Sequence, residues 1–348
     1  MENYWKIKKI GERLMEQRKE IDILDVAKFI MAIMVVGIHT LGRYGIYPLF
    51  RIAVPLFFMI SSYLFFSNTE KRGNLKYLKK FCIRNIKLYC FWFIVLMPIF
   101  LPMGGYLTGN LLFNAFKLIV KLFFGSTFAA SWYISALVIG MCFVFVCDKE
   151  RMNYRIVFGV TFAIYVICCL NSNYRNLMAD NSIIVMINRI YPGTIYNGFL
   201  VGLFWIFLGY IFACKGKISD RKRSEIGLII SFVLLMGEYF IVTKYHLTVD
   251  NDCYFMLVPV CYFVFDNLIS CEWKCKRIDV KVLRKYSTII YCVHASLAGL
   301  VEHYWISGDN FIECTLKFIL VLVISLIVAN RVCVLEKKKT FKWLRNAY

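Results

Sequence analysis

Residues 23–39 read ILDVAKFIMAIMVVGIH, an apolar run that is interrupted by Asp25 and Lys28 and closed by His39. Its length suits a helix that crosses a hydrocarbon layer of about 30 Å. Ionisable side chains are costly inside such a span, and those found there commonly serve function. This stretch therefore predicts a membrane-spanning helix that carries the chemistry of the protein.

The rest of the chain repeats this apolar character. Its 348 residues are 60% hydrophobic and 18% charged, with a mean hydropathy of +0.62, which exceeds what a soluble domain normally carries. Lipid offers backbone groups no partners and the alternation of barrel strands is absent, so the expected spans are helices. The sequence predicts an all-α, polytopic bundle of about ten transmembrane helices. The predicted spans are 23–41, 48–66, 84–103, 129–147, 155–171, 196–214, 226–243, 252–270, 286–302 and 312–333.

Basic residues alternate between the two sides of these spans. Counted with the adjoining ends of the spans, the segment before the first span and those after every second span hold 33 of the 42 lysines and arginines, whereas the opposite segments hold seven. Cytoplasmic loops carry such an excess. The basic segments 1–22 and 336–348, which flank the membrane domain 23–335, are therefore predicted to be cytoplasmic. The net charge of +20 reflects topology in the cell membrane and not nucleic-acid binding.

Two outer segments, 104–128 and 172–195, are too long or too apolar for simple loops. The apolar runs 111–124 and 183–190 within them predict additional interfacial or re-entrant helices. The fourteen cysteines lack paired CxxC spacing, so the sequence indicates neither a disulfide framework nor a metal site.

The polar residues of the first span share one helical face. Lys28 and His39 are eleven residues apart, about three turns and about 16 Å of rise, so they lie at opposite depths. Asp25 precedes Lys28 by one turn. One interpretation is a site with an acid and a base near the cytoplasm and an imidazole near the outer surface. The other is structural: Lys28 extends to the headgroups, Asp25 pairs with it, and His39 caps the outer end.

The spacing Lys28-x10-His39 matches the Arg/Lys-x10-His motif of the acyltransferase 3 family, whose members are membrane enzymes that mostly acylate sugars of cell-surface polysaccharides. Residues 53–65, AVPLFFMISSYLF, resemble the second helix of that family, in which a Phe-Phe run leads to Ser-Gly. Here Ser61 is followed by Ser62 instead of glycine, which is a departure from the pattern.

Later stretches resemble the same family in the same order. Residues 77–89, YLKKFCIRNIKLY, are similar to the basic entry of its third helix, and two lysines stand where arginines are more usual. SWYI at 131–134 and STIIYCVH at 287–294 resemble two further motifs. The resemblance covers about residues 20–335.

This resemblance implies an O-acetyltransferase-like enzyme that transfers acyl groups other than amino-acyl groups. The donor would be acetyl-CoA or another acyl-CoA in the cytoplasm. The acceptor would be a hydroxyl of a cell-surface or lipid-linked glycan. His39 would act as general base, assisted by Lys28 and Asp25, or would itself receive the acyl group first. No metal is implied.

The remaining candidates have weaker support. Lys80, Arg84 and Lys87 would hold the donor phosphates, although an ordinary positive-inside flank would look the same. The candidate contacts to the acceptor are Ser61, Trp132, Tyr291 and His294. For Trp132 the alternative is an interfacial belt, and for His294 it is helix packing.

A transporter or flippase for a lipid-linked sugar is the rival class of function. Lys28, Arg84 and late acidic residues would then line a passage. Transporters often contain two related halves with broken helices, and no such symmetry is visible in this sequence. Binding of CoA would discriminate between the two classes.

Overall fold

The computed structural model describes residues 22–42, 44, 46–68, 72–107, 109–128, 130–191, 194–248, 250–271 and 279–348. Within these ranges every regular element is a helix, so the predicted all-α class is confirmed. The predicted N-terminal segment 1–22 lies outside the described residues except for Asp22.

The α-helices follow one another along the described chain with short connections. They are α1 (Asp22–Thr40), α2 (Tyr47–Phe50), α3 (Ala53–Phe66), α4 (Leu75–Met103), α5 (Leu111–Phe124), α6 (Trp132–Lys149), α7 (Tyr154–Asn171), α8 (Ser182–Ile190), α9 (Phe199–Lys215), α10 (Arg221–Lys244), α11 (Leu257–Ile269), α12 (Val280–Tyr304) and α13 (Phe311–Leu335).

Each of the ten predicted spans overlaps one of these helices. Among the described residues, seven helices are long and apolar enough to cross a membrane: α1, α2 with α3, α4, α6, α7, α10 and α13. Helices α9 and α11 are apolar but only 17 and 13 residues long, and α12, with 25 residues, is not among the seven. The protein is thus a multi-pass helical membrane protein, whereas the count of ten crossings stays a prediction.

The two additional helices expected in the outer segments are present as α5 and α8. Both begin with an asparagine cap: Asn110 accepts from the backbone N–H of Leu112, and Asn181 accepts from that of Ile183. Leu112 and many other apolar side chains of α5 are exposed. Their predicted location at the membrane interface or as re-entrant helices stays a prediction.

Helix α9 forms the centre of the bundle and packs against α3, α6 and α7. Ten of its 17 residues are buried, as expected of a helix that is apolar on every side. At Gly209 a Cβ atom would lie 2.4 Å from the carbonyl oxygen of Met59. Glycine therefore permits the close approach of α9 to the α3 backbone.

The C-terminal tail folds back onto the bundle. Residues Lys339–Ala347 form a 3-10 helix against α4, where Trp92 Nε1 donates to the carbonyl oxygen of Ala347 at 3.0 Å. Lys285 Nζ donates to Glu336 at 2.6 Å. Burial alone would raise the pKa of the Glu336 carboxyl, but this bond and one from Tyr348 lower it. The predicted basic tail is therefore packed, and its cytoplasmic location stays a prediction.

Candidate functional site

Side chains of helices α1 and α12 approach each other at two places along the helices. At one end Arg284 Nε lies 3.3 Å from Asp25 Oδ2. At the other end the ring centroids of His39 and His294 are 5.1 Å apart. Because Arg284 precedes His294 by ten residues and Lys28 precedes His39 by eleven, each helix carries a cation and an imidazole about 16 Å apart. The two helices therefore run parallel.

The first of these two places is the basic end, formed by Asp25, Lys28, Arg84 and Arg284. Asp25 is only 1% exposed, and the charges of Lys28 and Arg284 both act on it. Arg84 reaches in from α4, and its charge acts on Lys28 and Arg284. Even with Asp22, whose charge also reaches Asp25, cations are in excess. Such an excess favours an anionic ligand.

The other two members of the predicted phosphate-binding set lie on the same stripe of α4 as Arg84. Lys80 and Lys87 stand four residues before and three residues after it, which is the spacing of one helical face. All three side chains are exposed. Arg84 is the member of the stripe whose charge reaches α1 and α12.

The second place is the imidazole end, formed by His39, His294 and Tyr291. His39 is exposed, although Val36 and Thr40 next to it on α1 are buried. His294 is fully buried, and its Nδ1 lies 2.6 Å from the carbonyl oxygen of Tyr291. Since a carbonyl oxygen only accepts, Nδ1 carries the proton, and Nε2 of the neutral ring is an acceptor.

That Nε2 atom is buried and has no hydrogen-bond partner among the described residues. A buried acceptor without a partner costs about 1–3 kcal/mol. An N–H or O–H group that donates to it would recover this free energy. The imidazole of His39, whose ring centroid is 5.1 Å away, is a neighbouring group of that kind.

An aromatic wall continues from the two histidines into the bundle. The ring of Tyr291 lies 5.6 Å from that of His294 and 5.1 Å from that of Tyr133. The hydroxyl of Tyr133 is 3.4 Å from Ser61 Oγ. Three of the four predicted acceptor contacts, Ser61, Tyr291 and His294, are thus brought together with His39.

Trp132 points elsewhere. Its ring packs against Phe58 at 6.1 Å, and it lines a cavity of about 50 Å³ together with Asp252 and Arg51, which form an ion pair. The charge of Arg51 also acts on His39. The predicted role of Trp132 beside the other three candidates therefore lacks a direct contact to support it.

Two residues of the site were not singled out by the sequence: Arg284 and Tyr133. In the sequence Arg284 belongs to the basic segment before the predicted span 286–302, and Tyr133 resembles an aromatic residue of the membrane interface. Helix periodicity offered a signal for Arg284, because positions 284, 287, 291 and 294 follow the 3-4-3 spacing of one helical face. Tyr133 gave no signal beyond its place in SWYI.

Comparison with known proteins identifies the family of the chain. A family model described as an acyltransferase domain matches residues 21–330. The chain belongs to the acyltransferase 3 family. The matched region of this acyltransferase runs from the start of α1 to near the end of α13, so it contains both the basic end and the imidazole end.

Curated relatives of this acyltransferase are longer proteins. Two amino-acid racemases from Enterococcus faecalis are 28% identical over 72% of this chain and 36% of their own length, and 23% identical over 90% and 46%. A serine/alanine racemase from Enterococcus gallinarum is 22% identical over 93% and 47%. The chain thus spans less than half the length of these relatives, and their names describe whole proteins. No solved structure matches the chain.

Proposed function

We propose that this acyltransferase moves an acyl group, acetyl in the simplest case, from cytoplasmic acyl-CoA to a hydroxyl of a cell-surface or lipid-linked glycan. The observation that supports the proposal is the α1–α12 pair, with excess cations at one end and two imidazoles about 16 Å away. CoA has a matching shape, because its phosphates and its thioester lie at opposite ends of a long arm. A donor anchored at the basic end would present its thioester to His39.

In this proposal His39 takes the proton of the acceptor hydroxyl while the hydroxyl oxygen attacks the thioester carbonyl. The new carbon–oxygen bond forms, the carbon–sulfur bond breaks, and the proton passes to the departing thiolate of CoA. His294 accepts the remaining N–H of His39 at Nε2 and so fixes the orientation of the reactive ring. Its own Nδ1–H is held by the Tyr291 carbonyl, which leaves Nε2 available.

The basic end has a binding role in this proposal. Arg84, Arg284 and Lys28 hold the donor phosphates by charge-assisted hydrogen bonds, and Lys80 and Lys87 extend the same surface on α4. Asp25 positions Arg284 and Lys28. Because about three helical turns separate Lys28 from His39, neither Lys28 nor Asp25 transfers a proton to the imidazole directly.

The proposal places the donor and both ends of the chain in the cytoplasm and the acceptor outside the cell membrane. The segments 42–47, 104–128 and 172–195 would form the acceptor surface. Reporter fusions after residues 110, 180 and 248 test this topology, and each should report the outside. A cytoplasmic signal at two of them would contradict it.

Donor binding tests the proposed function most directly. The purified protein should bind acetyl-CoA in isothermal titration calorimetry, and dephospho-CoA should compete less well than CoA because it lacks one phosphate. Cells that express the chain should gain acetyl groups on a surface glycan. A chain that binds no CoA but moves a lipid-linked sugar across vesicles would support the rival transporter class instead.

A further inference from the structure

A second cavity lies away from the α1–α12 pair, between α7, α9 and α11. Its volume is about 570 Å³, within the range of about 300–1,000 Å³ typical of ligand sites. Helix α9 supplies Phe204 and Leu208, α7 supplies Phe158, and α11 supplies Pro259 and Phe263. These side chains make the cavity an apolar groove, and none of them takes part in the proposed transfer reaction.

One end of this groove is cationic. Arg155 stands at the start of α7 and Lys215 at the end of α9, and both side chains are exposed. Lys215 Nζ lies 5.1 Å from the centre of the Tyr154 ring, so the two helix ends meet there. Neither cation forms an ion pair with a carboxylate within the described ranges of the chain. The mouth of the groove therefore carries two positive charges that are available to a ligand.

The depth of the groove corresponds to one leaflet of a bilayer. Phe204 and Lys215 are eleven residues apart on α9, which is a rise of about 16 Å. Half of a hydrocarbon core of about 30 Å is nearly the same distance. With Lys215 and Arg155 at the level of the headgroups, the apolar part of the groove would end near the middle of the membrane.

We propose that this groove binds an anionic phospholipid, with one acyl chain between α7, α9 and α11 and the headgroup phosphate at Arg155 and Lys215. Basic pockets between membrane helices bind anionic headgroups, and arginine matches phosphate oxygens in a bidentate manner. The pair of unneutralised cations selects an anionic lipid over a zwitterionic one. The site is independent of the proposed acyl transfer.

Lipid binding to the full-length protein in detergent tests the proposal. Phosphatidylglycerol should raise the melting temperature and remain bound in native mass spectrometry, whereas phosphatidylcholine should do so much less. The double variant Arg155→Gln/Lys215→Gln should weaken phosphatidylglycerol binding by roughly 25-fold, since each cation near a headgroup contributes about 5-fold. The matched control Lys149→Gln/Lys217→Gln removes two exposed cations from neighbouring segments and should leave binding unchanged.

A second variant tests the apolar part of the groove. Val258 lines it and is half-buried, so Val258→Trp should fill the space and reduce phosphatidylglycerol binding while both cations remain. Equal binding of the two lipids by the wild-type protein would overturn the proposal. So would a double variant that behaves like its control, or full phosphatidylglycerol binding by Val258→Trp.

Discussion

The two ends of the α1–α12 pair are built from different chemistry. The basic end gathers Lys28, Arg84 and Arg284 around the buried carboxylate of Asp25. The imidazole end consists of His39, His294 and an aromatic wall, with the charge of Arg51 acting on His39. The first arrangement is suited to holding an anion, and the second is suited to moving a proton.

This contrast implies that the two ends should fail differently. Loss of a group at the basic end should weaken the binding of acetyl-CoA. Loss of a group at the imidazole end should leave that binding intact and slow the transfer. Calorimetric titration with acetyl-CoA reports the first property, and the acetyl content of surface glycan at matched membrane abundance reports the second.

The largest effect is expected for His39→Ala. A general base contributes about 10²- to 10⁴-fold in rate, so surface acetylation should fall below detection while the affinity for acetyl-CoA stays near the wild-type value. Asn153→Ala, a change at a helix cap distant in sequence, serves as the control for membrane insertion. If His39→Ala acetylates the surface glycan at the wild-type level, His39 is not the general base.

Lys28→Ala, at the other end of the same helix, should cause the next largest loss of acetylation. A hydrogen bond to a charged group contributes about 1.5–3 kcal/mol, so the affinity for acetyl-CoA should fall by about 10- to 150-fold, and acetylation should fall with it. Lys28→Arg should retain activity, because it keeps the cation and the family motif accepts either residue. If Lys28→Ala binds acetyl-CoA normally, the basic end is not the donor site.

Arg284→Gln should reduce the affinity for acetyl-CoA by about tenfold, like Arg84→Gln, because each removes one cation from the same cluster. Arg331→Gln removes an exposed arginine from the end of α13 and should have no effect. If Arg84→Gln and Lys87→Gln both keep the wild-type affinity for acetyl-CoA, the basic stripe of α4 marks the cytoplasmic side of the membrane and does not bind the donor.

The residues changed in these variants differ in how far the sequence could predict their place in the site. The helices were predictable because apolar runs of sufficient length have few alternatives in a membrane. Lys28 and His39 were predictable because helix geometry fixes residues of one helix relative to each other.

The contribution of α12 was not predictable in the same way. Arg284 and His294 lie more than 240 positions after α1, and no local pattern states which helix packs beside which. Arg284 has the appearance of any basic flank, and His294 that of a packing residue. The packing of α1 against α12 places both residues in the site, and that packing depends on the whole bundle.

Substitutions at His294 should have a smaller effect than His39→Ala and should depend on the replacement. In His294→Gln the amide oxygen can take the place of the Nε2 acceptor, whereas the shorter side chain in His294→Asn reaches only the backbone carbonyl of Tyr291. A neutral hydrogen bond contributes about 0.5–1.5 kcal/mol, so His294→Asn should lower acetylation by about 2- to 12-fold. His294→Gln should lower it less. Equal losses in both variants would indicate a purely structural role.

The smallest effect is expected for Tyr133→Phe, which removes the hydroxyl that lies 3.4 Å from Ser61 Oγ. A bond of this length is weak, so acetylation should change by about twofold or less. Tyr291→Phe is the matched comparison, because it removes a hydroxyl that donates to the Ala130 carbonyl at 2.8 Å, and it should cost more. A loss in Tyr133→Phe as large as that in His39→Ala would mean that the phenol itself takes part in proton transfer. The groups that move the proton at the imidazole end would then include Tyr133 and its neighbour Ser61 in addition to the two histidines.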